Sequence, residues 1–369
     1  MEVKIVDLIQ NLPKFSRIRE EANKNPILVT GANGFKGTWL TQLLNELNIP
    51  NVGLGLETET DSLWSRIPDL RDGNFSIVDL RDEKLVNDYI SGLRPTIVIH
   101  LAAQPLVTEG YLKPKETFDT NASGTANLLD ACLKHDLRVF QAITTDKVYK
   151  VSENQIKVFV ENDTLGGSDP YSCSKVAAEE IVKGYRSTVN SLETSIFSVR
   201  AGNVIGGGDS TKSRLLPDTI KSLKNRSSLD LRYPNAVRPW QHVLDPLYGY
   251  LLAIEKSLNG TKFEALNFGP DPKTILTVSE VVEIAAKCWN SEESISRKLD
   301  GKNRFHETSI LQLSSELAEK ELGWLPTWSQ SESIEATIGW ELDTFRGVLT
   351  EKEACMKDIT KLINKKKIL

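Results

Sequence analysis

Ile27-Leu28-Val29-Thr30-Gly31-Ala32-Asn33-Gly34-Phe35-Lys36-Gly37 is followed by Trp39, Leu40, Leu43, Leu44 and Leu47. A short apolar run thus passes through a glycine-rich turn into apolar residues at helical spacing. That order opens a nucleotide-binding α/β sheet. Glycines in such a turn let the backbone approach a pyrophosphate, and the following helix N-terminus favours its charge. A glycine-rich turn with no ligand is the plainer alternative, so the flanking units must decide.

Working outward, further strands are expected at Val52–Leu56, Phe75–Val78, Thr96–His100, Val139–Ile143 and Ser195–Val199, alternating with helical patterns. Such alternation implies an α/β fold with a doubly wound parallel sheet of Rossmann type. Glu57 closes the second strand about twenty residues past Gly37, where an acid accepts from ribose hydroxyls and repels a 2′-phosphate, favouring NAD over NADP. Asp79-Leu80 ends the third strand and Leu101-Ala102-Ala103-Gln104 the fourth. Small residues there either leave room for a ligand or pack tightly. Asn121 is a polar residue within a helical pattern over 116–133, either exposed or functional. The fifth strand delivers Thr144-Thr145-Asp146-Lys147-Val148-Tyr149 to the same sheet edge, and the sixth runs into Arg200-Ala201-Gly202-Asn203.

In Asp169-Pro170-Tyr171-Ser172-Cys173-Ser174-Lys175, Asp169 suits a helix N-cap and Pro170 its first turn, placing Tyr171 and Lys175 on one face. An ammonium one turn from a phenol favours the phenolate and moves it toward general-base range. Tyr111 and Lys115 share that spacing, but Pro114 argues against a helical face between them.

Residues 25–200 therefore read as a cofactor domain carrying the chemistry. Over 201–349 the alternation weakens, with helical patterns near 213–225, 244–257, 278–290, 311–322 and 331–346, implying a smaller substrate-binding lobe with some return to the first domain. Arg232, Arg238, Trp240 and His242 cluster around Pro234 and Pro239. Arginine forks suit a diphosphate and an indole face suits a base or sugar, while surface ion pairs and core filling account for the cluster equally well. Residues 1–24 read as a partly helical extension. Residues 350–363 are amphipathic, and Lys365-Lys366-Lys367 reads as a solvated tail.

The 369 residues hold 45 basic and 50 acidic side chains, a net charge of −5 that offers no footprint for nucleic acid. Four scattered cysteines form neither metal-ligand pairs nor a disulfide framework, so no metal is expected and a reducing cytoplasm is the simplest location. No segment approaches the roughly 18 apolar residues of a membrane span, and Lys4, Asp7, Lys14, Arg17 and Arg19 break up the first residues in a way a signal peptide does not.

Gly31-x-x-Gly34-x-x-Gly37, the Ala102-Ala103 strand end, Asn121, Thr145-Asp146 and Tyr171-x-x-x-Lys175 occur in the order seen in extended short-chain dehydrogenases/reductases. Over roughly Pro26 to Trp340 the chain most resembles the CDP-glucose 4,6-dehydratases, through TGANGFKGTWL, HLAAQPLV, TTDKVY, ENDTLGGSDPYSCSK, RAGNVIGGGD, RLLPD, NAVRPWQHVLDPL, LNFGP, His306-Glu307 and ELGWLPTW. The resemblance implies NAD held by Gly31, Asn33, Gly34, Phe35, Lys36, Gly37, Glu57, Asp79, Leu80, Leu101, Ala102, Ala103, Asn121, Tyr171, Lys175 and Arg200. It implies Tyr171 as base at a sugar 4-hydroxyl, Lys175 as its ribose-binding partner, Thr145 as a hydroxyl on the reacting oxygen and Asp146 as acid for the 6-hydroxyl. Lys147 falls where dTDP-glucose enzymes carry a glutamate base, and acts as base or as a charge for the enolate. Substrate residues are expected among Gln104, Asn203, Arg214, Leu215, Arg232, Arg238 and His242. Thr108-Glu109 and Ser152 to Val160 depart from the pattern. A nucleotide-sugar 4-epimerase and a non-catalytic dinucleotide binder are the alternatives. A homodimer is expected through the 116–133 and Tyr171 helices, with Leu128, Leu129, Val176, Ile181 and Val182 as candidate contacts.

Overall fold

Runs such as Ile97–His100 and Val139–Ile143 are buried along their whole length, as strands are when helices cover both faces of a sheet. The structure, a computed structural model, describes residues 15–368 except 59, 72, 152–156, 190, 192, 232, 275, 290–296 and 300–310. Seven strands, β1 (Ile27–Thr30), β2 (Asn51–Gly55), β3 (Phe75–Ile77), β4 (Ile97–His100), β5 (Val139–Ile143), β6 (Ser195–Ala201) and β7 (Ala265–Phe268), form one sheet. Their spatial order is β7-β6-β5-β4-β1-β2-β3, with every neighbouring pair parallel. The order reverses at β1, so the loops after β1 and β4 diverge and open a crevice at the carboxyl ends of the strands.

Three elements of the fold differ from expectation. Helix α1 (Ser16–Lys24) is part of the core: Phe15, Ile18 and Ala22 are buried in the same cluster as helices α2 (Phe35–Glu46) and α4 (Leu244–Leu258), with helix α3 (Pro170–Thr188) lying between those two in sequence. Glu255 of α4 accepts from the backbone N–H of Arg17 at 3.1 Å and of Ile18 at 3.0 Å, satisfying donors that a helix start leaves unpaired. The 116–133 pattern resolves into Pro114–Phe118, a π-helical turn Asp119–Ser123 and Gly124–Leu133. Leu128, Leu129 and Val182 are buried within the chain, because the Gly124–Leu133 helix faces the sheet and the Glu83–Leu93 helix rather than open surface. Helix α5 (Glu351–Ile368) continues through the lysines, and Lys365 and Lys366 donate to the carbonyls of Thr327 and Leu325 instead of trailing in solvent.

Tyr111 and Lys115 lie on separate helices, Val107–Leu112 and Pro114–Phe118, so they share no face. Beyond residue 201 the chain forms two-residue and three-residue parallel ladders, Val204–Ile205 with Gln241–His242 and Leu229–Leu231 with Arg297–Leu299. Helix α4 packs into the core beside the seven-stranded sheet, and β7 joins that sheet next to β6.

Candidate active site

Gly31 leaves β1 with φ +68°, and a Cβ there would lie 2.8 Å from the Ala102 backbone. At Gly37 a Cβ would lie 2.1 Å from the Gly31 carbonyl oxygen. The turn therefore closes only without side chains, and it presents the N-terminus of α2 to the crevice. Asn33 braces the rim by donating to the Leu56 carbonyl at 2.8 Å and to Thr58 Oγ1 at 2.9 Å. The crevice is about 1560 Å³ and runs from Glu57, Asp79 and Leu80 past Leu101, Ala102 and Ala103 to Thr145, Tyr171 and Lys175, then to Asn203, Arg214, Leu215 and Arg238. That exceeds the few hundred to about 1,000 Å³ typical of a single-ligand site.

At the centre, Thr145 N-caps a short 3₁₀ turn, Asp146–Val148, its Oγ1 accepting from the Lys147 N–H at 3.3 Å. The same hydroxyl donates to Asp146 Oδ1 at 2.9 Å, and it lines the crevice together with the Tyr171 phenol. Asp146 is buried, and its Oδ2 has no hydrogen-bond partner among the described residues. Burial raises its carboxyl pKa, opposed by Lys147, Thr145, Arg238 and Lys36. Lys147 lines the crevice half-buried beside it.

Helix α3 starts at an Asp169–Ser172 capping box that fixes the Tyr171 register. Burial pushes the Tyr171 phenol up to about 12, the polar Thr145 side chain opposing. This corrects the expectation that Lys175 brings it into base range. Lys175 Nζ instead donates to the Ile143 carbonyl at 3.0 Å, and burial lowers its own pKa to about 8. Lys36, which also lines the crevice, is pushed down to about 7 by burial, then by Arg214 and Lys175.

Several expected ligands serve the scaffold. Arg200 does not line the crevice: it forms a buried pair with Glu179 at 2.9 Å and 2.8 Å and donates to Tyr149 Oη at 2.9 Å. Thr144 and Ser198 also donate to Glu179, at 2.5 Å and 2.6 Å, so one carboxylate of α3 is locked to β5 and β6 under the reacting groups. His242 is fully buried against Trp39 and Trp328, 3.5 Å from Asp358, and touches no part of the crevice. Asn121 and Gln104 lie behind the wall. Asn121 Oδ1 accepts from the Gln104 N–H at 2.8 Å, and its Nδ2 donates to Ser174 Oγ at 2.9 Å. Asp79 lines the crevice but is paired with Arg81 at 2.6 Å, which lowers its pKa. Arg232, His306, Glu307 and most of the departing Ser152 to Val160 segment lie outside the described residues.

One structural residue was missed. His100, at the end of β4, has Nδ1 2.7 Å from Thr30 Oγ1 and Nε2 2.9 Å from Thr125 Oγ1. Thr125 donates to the Asn121 carbonyl at 2.7 Å, so it accepts from His100 Nε2–H and the ring is neutral, its pKa lowered to about 3 chiefly by burial. The chain ties the Ala102 N–H, which donates to Thr30 Oγ1 at 3.2 Å, to the π turn that holds Ser174. The Thr164–Ser168 loop, Tyr149, Thr108, Thr120, Leu231, Tyr233, Trp240 and Val278 also line the crevice.

The model of the NAD dependent epimerase/dehydratase family matches residues 27–269. The CDP-glucose 4,6-dehydratase of Salmonella typhimurium is 38% identical over 333 residues, covering 87% of this chain and 91% of that protein. Among solved structures, the UDP-glucose 4-epimerase of Thermotoga maritima aligns with a TM-score of 0.75 at 21% identity, covering 86% of this chain and 99% of that one. A dTDP-glucose 4,6-dehydratase of Streptomyces venezuelae, solved with NAD bound, aligns with a TM-score of 0.73 at 24% identity over 88% and 99% of the two chains. With the glycine cradle, the parallel order reversing at β1 and the Tyr171–Lys175 helix, these matches establish that the chain belongs to the NAD-dependent epimerase/dehydratase family, within the extended short-chain dehydrogenases/reductases.

Proposed function

We propose that the protein is an NAD-dependent 4,6-dehydratase that converts CDP-glucose to CDP-4-keto-6-deoxyglucose. The observation that carries this is Asp146, a buried carboxyl with a raised pKa and an oxygen without a partner among the described residues, lining the same crevice as Thr145 and Tyr171. Moving a hydride on and off position 4 needs the phenol, but expelling a 6-hydroxyl also needs a proton donor. Bound NAD supplies a hydride acceptor at position 4 and a hydride donor at position 6. Tyr171 takes the 4-hydroxyl proton with Thr145 beside it, Asp146 protonates the departing 6-hydroxyl, and Lys147 faces position 5 as base or as a charge for the enolate. Arg214 and Arg238 hold the diphosphate from the far end of the crevice, Asn203 beside them. The 38% relative supports CDP as the carrier.

Among the described residues no helix is long and apolar enough to cross a membrane. A cytoplasmic homodimer completes the proposal. Tyr111, Leu112 and Phe118, exposed beside α3, are the apolar residues left for a partner copy, and light scattering that finds only monomer at micromolar concentration removes it.

The test is product formation from CDP-, dTDP-, UDP- and GDP-glucose, read as the alkaline absorbance of a 4-keto sugar. CDP-glucose is expected to be turned over fastest, and formation of CDP-galactose without a keto product sinks the dehydratase reading. Asp146→Asn should reduce the cofactor, accumulate NADH and lose roughly 10² to 10⁴ in product formation. A raised carboxyl pKa keeps the donor protonated to higher pH, so kcat should fall as pH rises through it, and that limb should vanish in Asp146→Asn.

A further inference from the structure

Gly206-Gly207-Gly208 follows the short Val204–Ile205 strand and by composition is a slack loop. It is packed instead. Trp340 stands so close that a Cβ at Gly207 would lie 2.0 Å from its ring, and the Gly207 carbonyl accepts from Trp39 Nε1 at 3.0 Å. From there the chain runs along the crevice to Arg214, the N-cap residue of the Leu215–Asn225 helix. Asp209 holds the turn between them, its Oδ1 accepting from the Thr211 N–H at 3.0 Å and its Oδ2 from Arg214 Nη1 at 3.3 Å.

One carboxylate closes that segment at both ends. Glu341 Oε1 accepts from the Gly208 N–H at 2.9 Å, and its Oε2 accepts from Lys224 Nζ at 2.6 Å. Gly208 opens the segment, and Lys224 lies in the last turn of the Leu215–Asn225 helix. Glu341 is 5% exposed and sits on the Gln330–Phe345 helix, none of whose residues lines the crevice. That helix already shares an apolar cluster with the Arg214-capped one, through Ile334, Ile338 and Leu342 on one side and Leu216 and Ile220 on the other. A buried charge adds the cost of desolvation to such packing, so the ion pair is weak evidence for a purely stabilising role. What the charge adds is direction, because it fixes the first residue of the segment and its last turn to one point.

We propose that Glu341 is a positioning residue for nucleotide-sugar binding: it holds the Gly208–Lys224 segment at both ends and so fixes where the Arg214 guanidinium meets the diphosphate. This rests on the assignment of Arg214 to the diphosphate made above. Arginine presents its donors on a rigid planar fork, and paired hydrogen bonds to phosphate oxygens depend on where that fork stands. Asp209 turns the fork, and Glu341 holds the residue next to Asp209. A ligand that meets a segment already in place loses no free energy to ordering it. Releasing the segment therefore weakens binding and leaves the chemistry at Tyr171 and Asp146 as it was.

The experiment uses the full-length protein saturated with NAD, and measures CDP affinity by calorimetry together with KM and kcat for CDP-glucose. Lys224→Met releases one end and should weaken CDP about threefold, and Glu341→Ala releases both and should weaken it about tenfold. KM should rise by the same factor in each variant, with kcat and NAD affinity at the parental values, as for an interaction made equally in the ground and transition states. Arg214→Leu should cost about tenfold to 10², and adding Lys224→Met or Glu341→Ala to it should cost nothing more, since the group they position is gone. Lys224→Met keeps the test decisive should Glu341→Ala not fold, which circular dichroism reports. Parental CDP affinity in both variants, an additive loss in the Arg214→Leu background, or a fall in kcat or NAD affinity matching the rise in KM overturns the inference and leaves Arg214 on the diphosphate. Arg214→Leu at parental affinity overturns that assignment and the inference with it.

Discussion

On the β1–β3 side of the crevice Gly31, Gly34 and Gly37 shape the wall by lacking side chains, whereas on the far side Arg214, Arg238, Leu231, Tyr233 and Trp240 shape it by projecting them. The first wall is backbone and helix terminus, packed so closely that a Cβ at Gly37 would lie 2.1 Å from the Gly31 carbonyl oxygen. The second is assembled from the ends of short elements, including a helix capped by Arg214 and a three-residue ladder. A wall of backbone recognises what its ligands have in common, here a dinucleotide pyrophosphate. A wall of side chains is where a base or sugar can be exchanged one residue at a time.

The sharpest break in that contrast is Gly37→Ala. No flexible side chain is available to give way, since the clashing atoms are the Gly31 carbonyl and the Ala32 backbone. A loss of about 4 kcal/mol, close to 10³ in NAD affinity, is expected by calorimetry, with circular dichroism reporting whether the fold survives. Affinity unchanged would mean the turn is slack. On the side-chain wall, Arg238→Leu should weaken nucleotide-sugar binding by about tenfold to 10², as loss of a charged hydrogen bond of roughly 1.5–3 kcal/mol does. NAD affinity should stay at the parental value, and a matching fall in it would mean the two walls are not independent. The smallest effect is expected where a side chain serves the cofactor wall. Glu57, exposed at the end of β2, should disfavour a 2′-phosphate, so Glu57→Ser should narrow the NAD-over-NADP preference by about tenfold. Equal affinities in the unmodified chain would remove Glu57 from that role.

What the sequence made legible follows the same division. Strand ends and the glycine turn are local patterns, and all six strands expected up to residue 200 are present, with β5 over the expected span. The direction in which a polar side chain leaves its element is not local. Arg200 and Thr144 look equally ready for a ligand in the sequence, yet a carboxylate on α3, Glu179, takes hydrogen bonds from both and holds Arg200 away from the crevice. Lys175 holds the spacing expected of it, but the nearest acceptor open to its ammonium is the Ile143 carbonyl. His242 stands in a stretch rich in aromatic and charged residues, and only packing between Trp39 and Trp328 shows that it belongs to the core. Asn121 was ambiguous because a π turn, which no helical periodicity announces, rotates that stretch and places the amide against Gln104 and Ser174. His100 carried one usable signal, a histidine ending a fully buried strand next to small residues, where a neutral, doubly bonded ring is the physical default.

The seating of α1 against α4 has a consequence for how the chain is made. Ile18 donates to Glu255, 237 residues further on, and Phe15 meets Tyr248 edge-on with ring centroids 5.6 Å apart. At about 5–20 residues per second, a ribosome needs about ten to fifty seconds to deliver that partner after α1 has formed. Throughout that interval the apolar face of α1 has no native seat, while the cofactor cradle just behind it is already being assembled. The segment that reads as an extension is, in the order of synthesis, a piece held open for a late arrival.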